Sequence, residues 1–258
     1  MLGLIRGGFI SDDKRTVVKI KQIASFSHKS ATGMCEIKYT YFDLRVKGEA
    51  GRLLLAFGGI DYTDERIEPP WSDPRPWNEL KPKTPRGQLP MLKWKDGTVI
   101  CQSMTICRFL AKEFGVAGRT NLEMALVDEV VDTIQDAILA TYNAWNSNDK
   151  KQELLKVTEV IYPTMLNQLE RQLMGRDNTW LVGDTLTWAD LHLFFFCSED
   201  FLEPKVVAAY PKIAKLVGKV GEVPSIKRWV ETRPGNKEMF PGKRIYFQNA
   251  YKIVESLE

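Results

Sequence analysis

The sequence predicts a chain in two parts, a small α/β unit followed by an all-helical domain. Three observations carry this. Short apolar strands alternate with helix-period segments only as far as about residue 115. An Asp96-Gly97 pair between two apolar runs marks a β-hairpin. From Leu122 onward, large apolar residues recur every four positions. A chain of 258 residues is long enough for two such cores.

Residues 1–34 read as a Ser/Lys-rich leader without a period, a disordered arm. Asp12 and Asp13 argue against a mitochondrial address. The α/β unit is expected over 35–115. Ile37 to Phe42 is a buried strand, and Ala50 to Phe57 a helix closed by Gly58-Gly59. Tyr62 to Ile67 is a second strand. Pro69 to Pro85 holds six prolines, which forbid a central strand, and it is read as a loop. Met91 to Trp94 and Val99 to Cys101 form the hairpin, and Ser103 to Phe114 a helix with Ser103 near its N-cap. The helical domain is expected over 120–240. Leu122, Leu126, Val130, Ile134, Ile138 and Tyr142 mark one face of a long helix, and Ile161, Met165, Leu169 and Leu173 mark the next, kinked at Pro163. Thr187-Trp188-Ala189-Asp190 is a capping box opening the apolar helix Leu191 to Phe196. Pro211 to Val220 and Ser225 to Glu231 are shorter helices, and 241–258 is a C-terminal extension.

Composition removes several function classes. Four cysteines without a Cys-x-x-Cys pair and only two histidines do not make a zinc site. Their spacing is no disulfide framework, which fits a reducing, cytoplasmic compartment. Residues 1–33 hold six Lys/Arg and two acids, leaving 30 basic and 31 acidic residues in the rest. That near-neutral remainder lacks the clustered base charge of a nucleic-acid binder. No apolar run approaches the roughly 20 residues of a membrane helix.

Four short motifs give the pattern its chemistry. They are Tyr41-Phe42 on the first strand, Gly87-Gln88-Leu89-Pro90 before the hairpin, Gln102-Ser103 entering a helix, and Thr187-Trp188-Ala189-Asp190. Together, in this order and spacing, they resemble the glutathione transferases, most closely the sigma class, which includes prostaglandin D synthases and S-crystallins. The resemblance runs from about Cys35 to Phe240. It implies a thioredoxin-like N-terminal domain, an all-α C-terminal domain, a homodimer, and glutathione as co-substrate with no metal required.

The resemblance also implies roles for residues. A strand tyrosine by itself reads as core; in this family Tyr41 would donate its hydroxyl hydrogen to the glutathione sulfur. A free thiol with a pKa of about 8.5 is only about 3% thiolate at pH 7. Lowering that pKa by two units would give about 75% thiolate and needs about 2.7 kcal/mol, against roughly 1.5–3 kcal/mol for one hydrogen bond to an ion. Tyr39 shares the strand face, but the family match falls on Tyr41. Leu89-Pro90 would be a cis peptide pairing with the cysteinyl backbone of glutathione. Gln102 and Ser103 would hold a carboxylate at a helix N-terminus. Trp77 and Lys81 match positions at the glycyl end, with Trp71 a rival for the tryptophan. Lys47 stands where an arginine is usual. Of the acidic run Asp128, Asp132 and Asp136, Asp136 would reach the partner subunit's glutathione. Gln135 in place of a further carboxylate weakens any cation site there. Phe42, Leu44, Trp145, His192 and Phe196 would line an apolar pocket for the second substrate.

These residues imply conjugation of the glutathione thiolate to small apolar electrophiles. Glutathione-dependent prostaglandin D isomerisation, a nearly inactive, S-crystallin-like structural role, and a non-catalytic interaction domain, which would not need Tyr41, are the other readings. The tail, with Tyr246, Phe247, Tyr251, Ile253, Val254 and Leu257, is too apolar to stay solvated. It is expected either to cover the electrophile pocket or to pack behind the helical domain.

Overall fold

Strand β1 (Lys38–Phe42) is the centre from which the fold is built. It pairs in parallel with β2 (Thr63–Ile67), joined by helix α1 (Val46–Gly58), and antiparallel with β3 (Met91–Lys93). β3 forms the hairpin with β4 (Val99–Cys101), so the mixed sheet runs β2-β1-β3-β4. The computed structural model describes residues 35–197 and 201–234. The expectations for the leader (1–34) and the tail (241–258) lie outside the described residues.

Parity along β1 decides its packing. Tyr39 and Tyr41 point at α1, while Thr40 on the other face donates its hydroxyl to Glu65 at 2.7 Å. Two glycines one helical turn apart receive the rings: a Cβ on Gly51 would stand 2.8 Å from Tyr39 Cζ, and one on Gly48 would stand 2.8 Å from Tyr41 Cγ. α1 ends as expected at Gly59, whose left-handed backbone returns its N–H to Leu55 and Ala56.

The proline-rich segment is not the loop expected. It holds helix α2 (Pro74–Leu80) and a 3₁₀ turn at Lys81–Lys83. Pro74 and Pro76 fall in the first turn, where N–H groups have no intrahelical acceptor, so the missing donors cost nothing, and Asp73 caps the helix by accepting from Arg75 N–H. Helix α3 (Ser103–Glu113) follows β4 and packs on α1.

Beyond α3 every regular element among the described residues is a helix. α4 (Asn121–Trp145) opens on a Thr120 cap. The expected face of α4 is only partly right: Val130, Ile134 and Ile138 are buried, but Leu122, Leu126 and Tyr142 are exposed. Steps of four residues advance about 400° at 3.6 residues per turn, so such a row drifts about 40° per step and winds off the core side at both ends. α5 (Lys150–Lys156) runs through a π turn (Val157–Ile161) into α6 (Tyr162–Met174). The π turn stands where a proline kink was expected. Pro163 has no N–H to give, the wider turn makes room for its ring, and Thr158 Oγ1 donates to the carbonyls of Leu154 and Leu155, each at 3.1 Å.

Helix α7 (Trp188–Phe196) is the hub, with eight of its nine residues buried, packed on α4, on α1 and on α9 (Pro211–Gly221). Its capping box is complete. Asp190 accepts from Leu181 N–H at 2.9 Å and Thr187 N–H at 2.7 Å; burial pushes its carboxyl up to about 6 against these hydrogen bonds. A short α8 (Pro204–Ala208), absent from the sequence reading, precedes α9, and α10 (Pro224–Thr232) packs back on α1.

Candidate active site

Tyr41 sits at the end of β1, 6% exposed, its ring against Gly48 and Arg52. Burial pushes the phenol up to about 12; the buried Arg52 guanidinium, 5.8 Å from the ring centroid, and the Lys47 N–H pull the other way. At neutral pH Tyr41 is therefore a neutral O–H donor with a cation beside its ring. That is the state required to hydrogen-bond an anion such as a thiolate.

The residues that sequence motifs grouped with it converge in part. Phe42 stands 5.6 Å from the Tyr41 ring and packs edge-on against Trp77 at 5.3 Å. Trp71 is 47% exposed, so of the two candidate tryptophans it is Trp77 that meets the Tyr41-Phe42 pair. Lys81 lies beside Gly87, its Cε 3.8 Å from where a Cβ would stand, and Gly87 adopts a positive φ of 61° that suits a residue without one. The Leu89–Pro90 peptide is cis. Gln88 Oε1 accepts from Gln102 Nε2 at 3.4 Å, which joins the turn before β3 to the start of α3. The N-cap of α3 is Gln102, with φ 73°, and Ser103 is the first helical residue rather than the cap. No side chain caps α3, so its first-turn N–H groups are donors for an incoming carboxylate.

Other expected residues lie elsewhere. Arg108 on α3 pairs with Asp128 at 3.1 Å and Asp132 at 2.7 Å, so these two acids of the run on α4 are satisfied within the chain. Asp136, one turn on, is exposed and has no ion pair with a described residue. Among the described residues no group of three His, Cys, Asp or Glu could hold a metal.

The pocket expectation divides. Leu44 is buried and Trp145 half-buried, with Lys150 Nζ 4.1 Å over its ring. His192 and Phe196 are 2% and 0% exposed. Phe196 packs edge-on to Tyr162 at 5.0 Å and stacks on Phe201 at 5.4 Å. His192 lies between Trp188 and Phe195 with neither ring nitrogen bonded among the described residues, and burial lowers it to about 4. Neither presents surface to a second molecule, because α7 is apolar all round and enclosed on every side.

Sequence reasoning missed two groups. Tyr142 was assigned to the core row of α4, yet it is exposed, with Lys47 Nζ 4.9 Å over its ring. Arg52 carried no motif; its only signal was a lone charge in the apolar run from Ala50 to Phe57.

The comparisons with known proteins agree with this architecture. Residues 50–113 match the family model "Glutathione S-transferase, N-terminal domain", and residues 132–233 match "Glutathione S-transferase, C-terminal domain". Hematopoietic prostaglandin D synthase of Gallus gallus is 38% identical over 204 residues, spanning 78% of this chain and 98% of that protein. Glutathione S-transferase 1 of Ascaris suum is 35% identical over 208 residues, with the same coverage. The crystal structure of the glutathione S-transferase from Ascaris lumbricoides superposes with a TM-score of 0.67 at 33% identity, covering 82% of this chain and all of that one. Matched in both its sheet and its helical parts, and spanning these relatives almost end to end, the chain belongs to the glutathione S-transferase family.

Proposed function

We propose that the protein is a cytoplasmic, homodimeric, sigma-class-like glutathione transferase that conjugates the glutathione thiolate to small apolar electrophiles, with Tyr41 activating the thiol. The observation that carries the proposal is Tyr41 itself: a buried phenol, neutral at pH 7 and able to donate its hydrogen to a sulfur anion, with the Arg52 guanidinium 5.8 Å from its ring centroid. The cis Leu89–Pro90 strand edge would hold the peptide backbone of glutathione. Gln102, Ser103 and the uncapped α3 terminus would take a carboxylate, Trp77 and Lys81 the glycyl end, and Lys47 the neighbourhood of the sulfur. The proposed domains are 35–115 for glutathione and 120–240 for the helical part.

The homodimer is supported by Leu122 and Leu126, large apolar residues 69% and 41% exposed on α4, the helix that also carries Asp136; exposed apolar residues of this size are common at interfaces. Asp136 would then face the partner's site. Sedimentation at micromolar concentration is expected to give twice the 29.5 kDa chain mass. A fully active monomer contradicts the dimeric site.

The deciding experiment is conjugation of an aromatic halide by wild type and Tyr41→Phe. Turnover should fall at least about tenfold at neutral pH, as expected for loss of a charge-assisted hydrogen bond, with glutathione affinity little changed. An unchanged pH midpoint for the bound thiolate would remove Tyr41 from the chemistry. A second reading, glutathione-dependent prostaglandin D isomerisation, is favoured by the relatives called hematopoietic prostaglandin D synthase, from chicken at 38% identity and human at 33%. Prostaglandin D formation by the purified protein, compared with halide conjugation, separates the two.

A further inference from the structure

Behind Tyr41 runs a row of charges of alternating sign, buried at Arg52 and Glu49 and half-buried at its two ends, that crosses from the sheet part of the chain to the end of its last described helix. Arg52 is fully buried on α1. Its Nε meets Asp64 Oδ1 at 3.0 Å, and its Nη1 donates to the Leu44 carbonyl at 2.7 Å and stands 3.7 Å from Glu49 Oε2. Its guanidinium carbon lies 5.8 Å from the centroid of the Tyr41 ring and 5.9 Å from that of Tyr39. Glu49, 1% exposed, divides its carboxylate between two directions. Oε2 faces Arg52, and Oε1 accepts the Trp229 indole N–H at 2.8 Å and Arg233 Nη1 at 2.7 Å. Those donors lie 180 and 184 residues along the chain. The row is thus Asp64, Arg52, Glu49, Arg233.

A buried carboxylate must be compensated by the cations around it, and Glu49 has two. The charge that Arg233 neutralises is charge that Glu49 does not direct at Arg52. Withdrawing Arg233 leaves the Glu49 charge uncompensated beside Arg52, on top of that of Asp64 at 3.0 Å, and the positive field under the Tyr41 ring weakens. The other groups facing this cluster are Asp64, Arg66 (paired with Asp64 at 2.8 Å) and Tyr62 from β2 and its entry, Tyr39 from β1, Cys107 from α3 toward Tyr39, and Tyr142 from α4 toward Tyr41.

We infer that Arg233 is a positioning residue for Tyr41: by holding Glu49 Oε1 it keeps the Glu49 charge from adding to that of Asp64 against Arg52 beneath the phenol, so the end of the helical part sets how strongly Tyr41 donates to a bound thiolate. The inference rests on Tyr41 acting on the glutathione sulfur.

The test uses the full chain with Arg233→Gln, Arg233→Lys, Trp229→Phe and Tyr41→Phe. The readout is the pH midpoint of bound glutathione thiolate, followed by its ultraviolet absorbance, with glutathione affinity and melting temperature measured alongside. Arg233→Gln should raise the midpoint by about half a pH unit, roughly a threefold loss of thiolate below it. Affinity should be unchanged, and Arg233→Lys should restore most of the shift. Trp229→Phe should move the midpoint the same way by less, and it serves if Arg233→Gln does not fold. In a Tyr41→Phe background the Arg233→Gln shift should vanish; its persistence means that Arg233 acts on sulfur without Tyr41 and overturns the inference. A midpoint that moves with Tyr41→Phe but with neither Arg233→Gln nor Trp229→Phe overturns the inference alone. A midpoint unmoved by Tyr41→Phe removes the role of Tyr41 and the inference with it.

Discussion

Gly48→Ala puts the smallest possible side chain against Tyr41. The new Cβ would stand 2.8 Å from Tyr41 Cγ, closer still to Cδ1, and 3.0 Å from Arg52 Nη1. Carbon atoms rest at about 3.5–4.0 Å, so the ring must retreat by about 1 Å. Overpacking of this kind costs about 1–3 kcal/mol. Alanine in place of glycine in a helix returns about 1 kcal/mol. The net loss of stability is therefore about 0–2 kcal/mol, or a few degrees of melting temperature at this chain length. The effect on chemistry is larger. A misplacement of about 1 Å in a positioned group costs up to about a hundredfold in rate. Halide conjugation by Gly48→Ala should fall between about tenfold and a hundredfold in kcat/KM while the protein stays folded, and the thiolate midpoint should rise toward that of Tyr41→Phe. In a Tyr41→Phe background the same substitution should cost little further activity, since the hydroxyl it displaces is already gone. A Gly48→Ala enzyme with wild-type activity and midpoint would refute both the packing argument and the role of the phenol.

His192 offers a pH test. Its folded value of about 4 lies below the ordinary 6.5, so the unfolded state binds the extra proton and stability falls as pH drops from about 6.5 to about 4, by up to about 3 kcal/mol. Asp190 runs oppositely: its folded value of about 6 lies above 3.8, so it favours the fold at acid pH and that stability is lost as pH rises to about 6. The two nearly offset between pH 4 and 6, so His192→Leu should turn a flat denaturant-midpoint profile there into one that falls with rising pH; parallel profiles would show that the imidazole is charged or solvated. Val46 holds a φ of 25°, an outlier for a β-branched residue. Relief of strain worth about 1–3 kcal/mol should outweigh the lost contacts of a half-buried valine. Val46→Gly should therefore raise the melting temperature, and a lower one would show that the contacts dominate.

Much of the fold was legible because it is written in local terms. Two short strands, a glycine-closed helix and an Asp-Gly hairpin need only nearest-neighbour chemistry, as do the capping box at Thr187 and the cluster of motifs around Tyr41. The same reasoning misread the proline segment, where the number of prolines was counted but not their place in a first turn. It misread α4, where a row of every fourth residue was treated as a straight face although it winds round the helix.

The site shows where local reading stops. That Tyr41 lies on a strand, that Gln102 and Ser103 open a helix and that Leu89 precedes a proline are properties of adjacent residues, and the sequence by itself determines them. That His192 and Phe196 are enclosed depends on helices on every side of α7. That Tyr142 meets Lys47, and that Glu49 joins Arg52 to an arginine 184 residues later, depends on chain segments brought together by packing. Side-chain identity sets what a residue can do. Burial and long-range partners set whether it can be reached and what charge it feels, and these exist only once distant elements have excluded water between them.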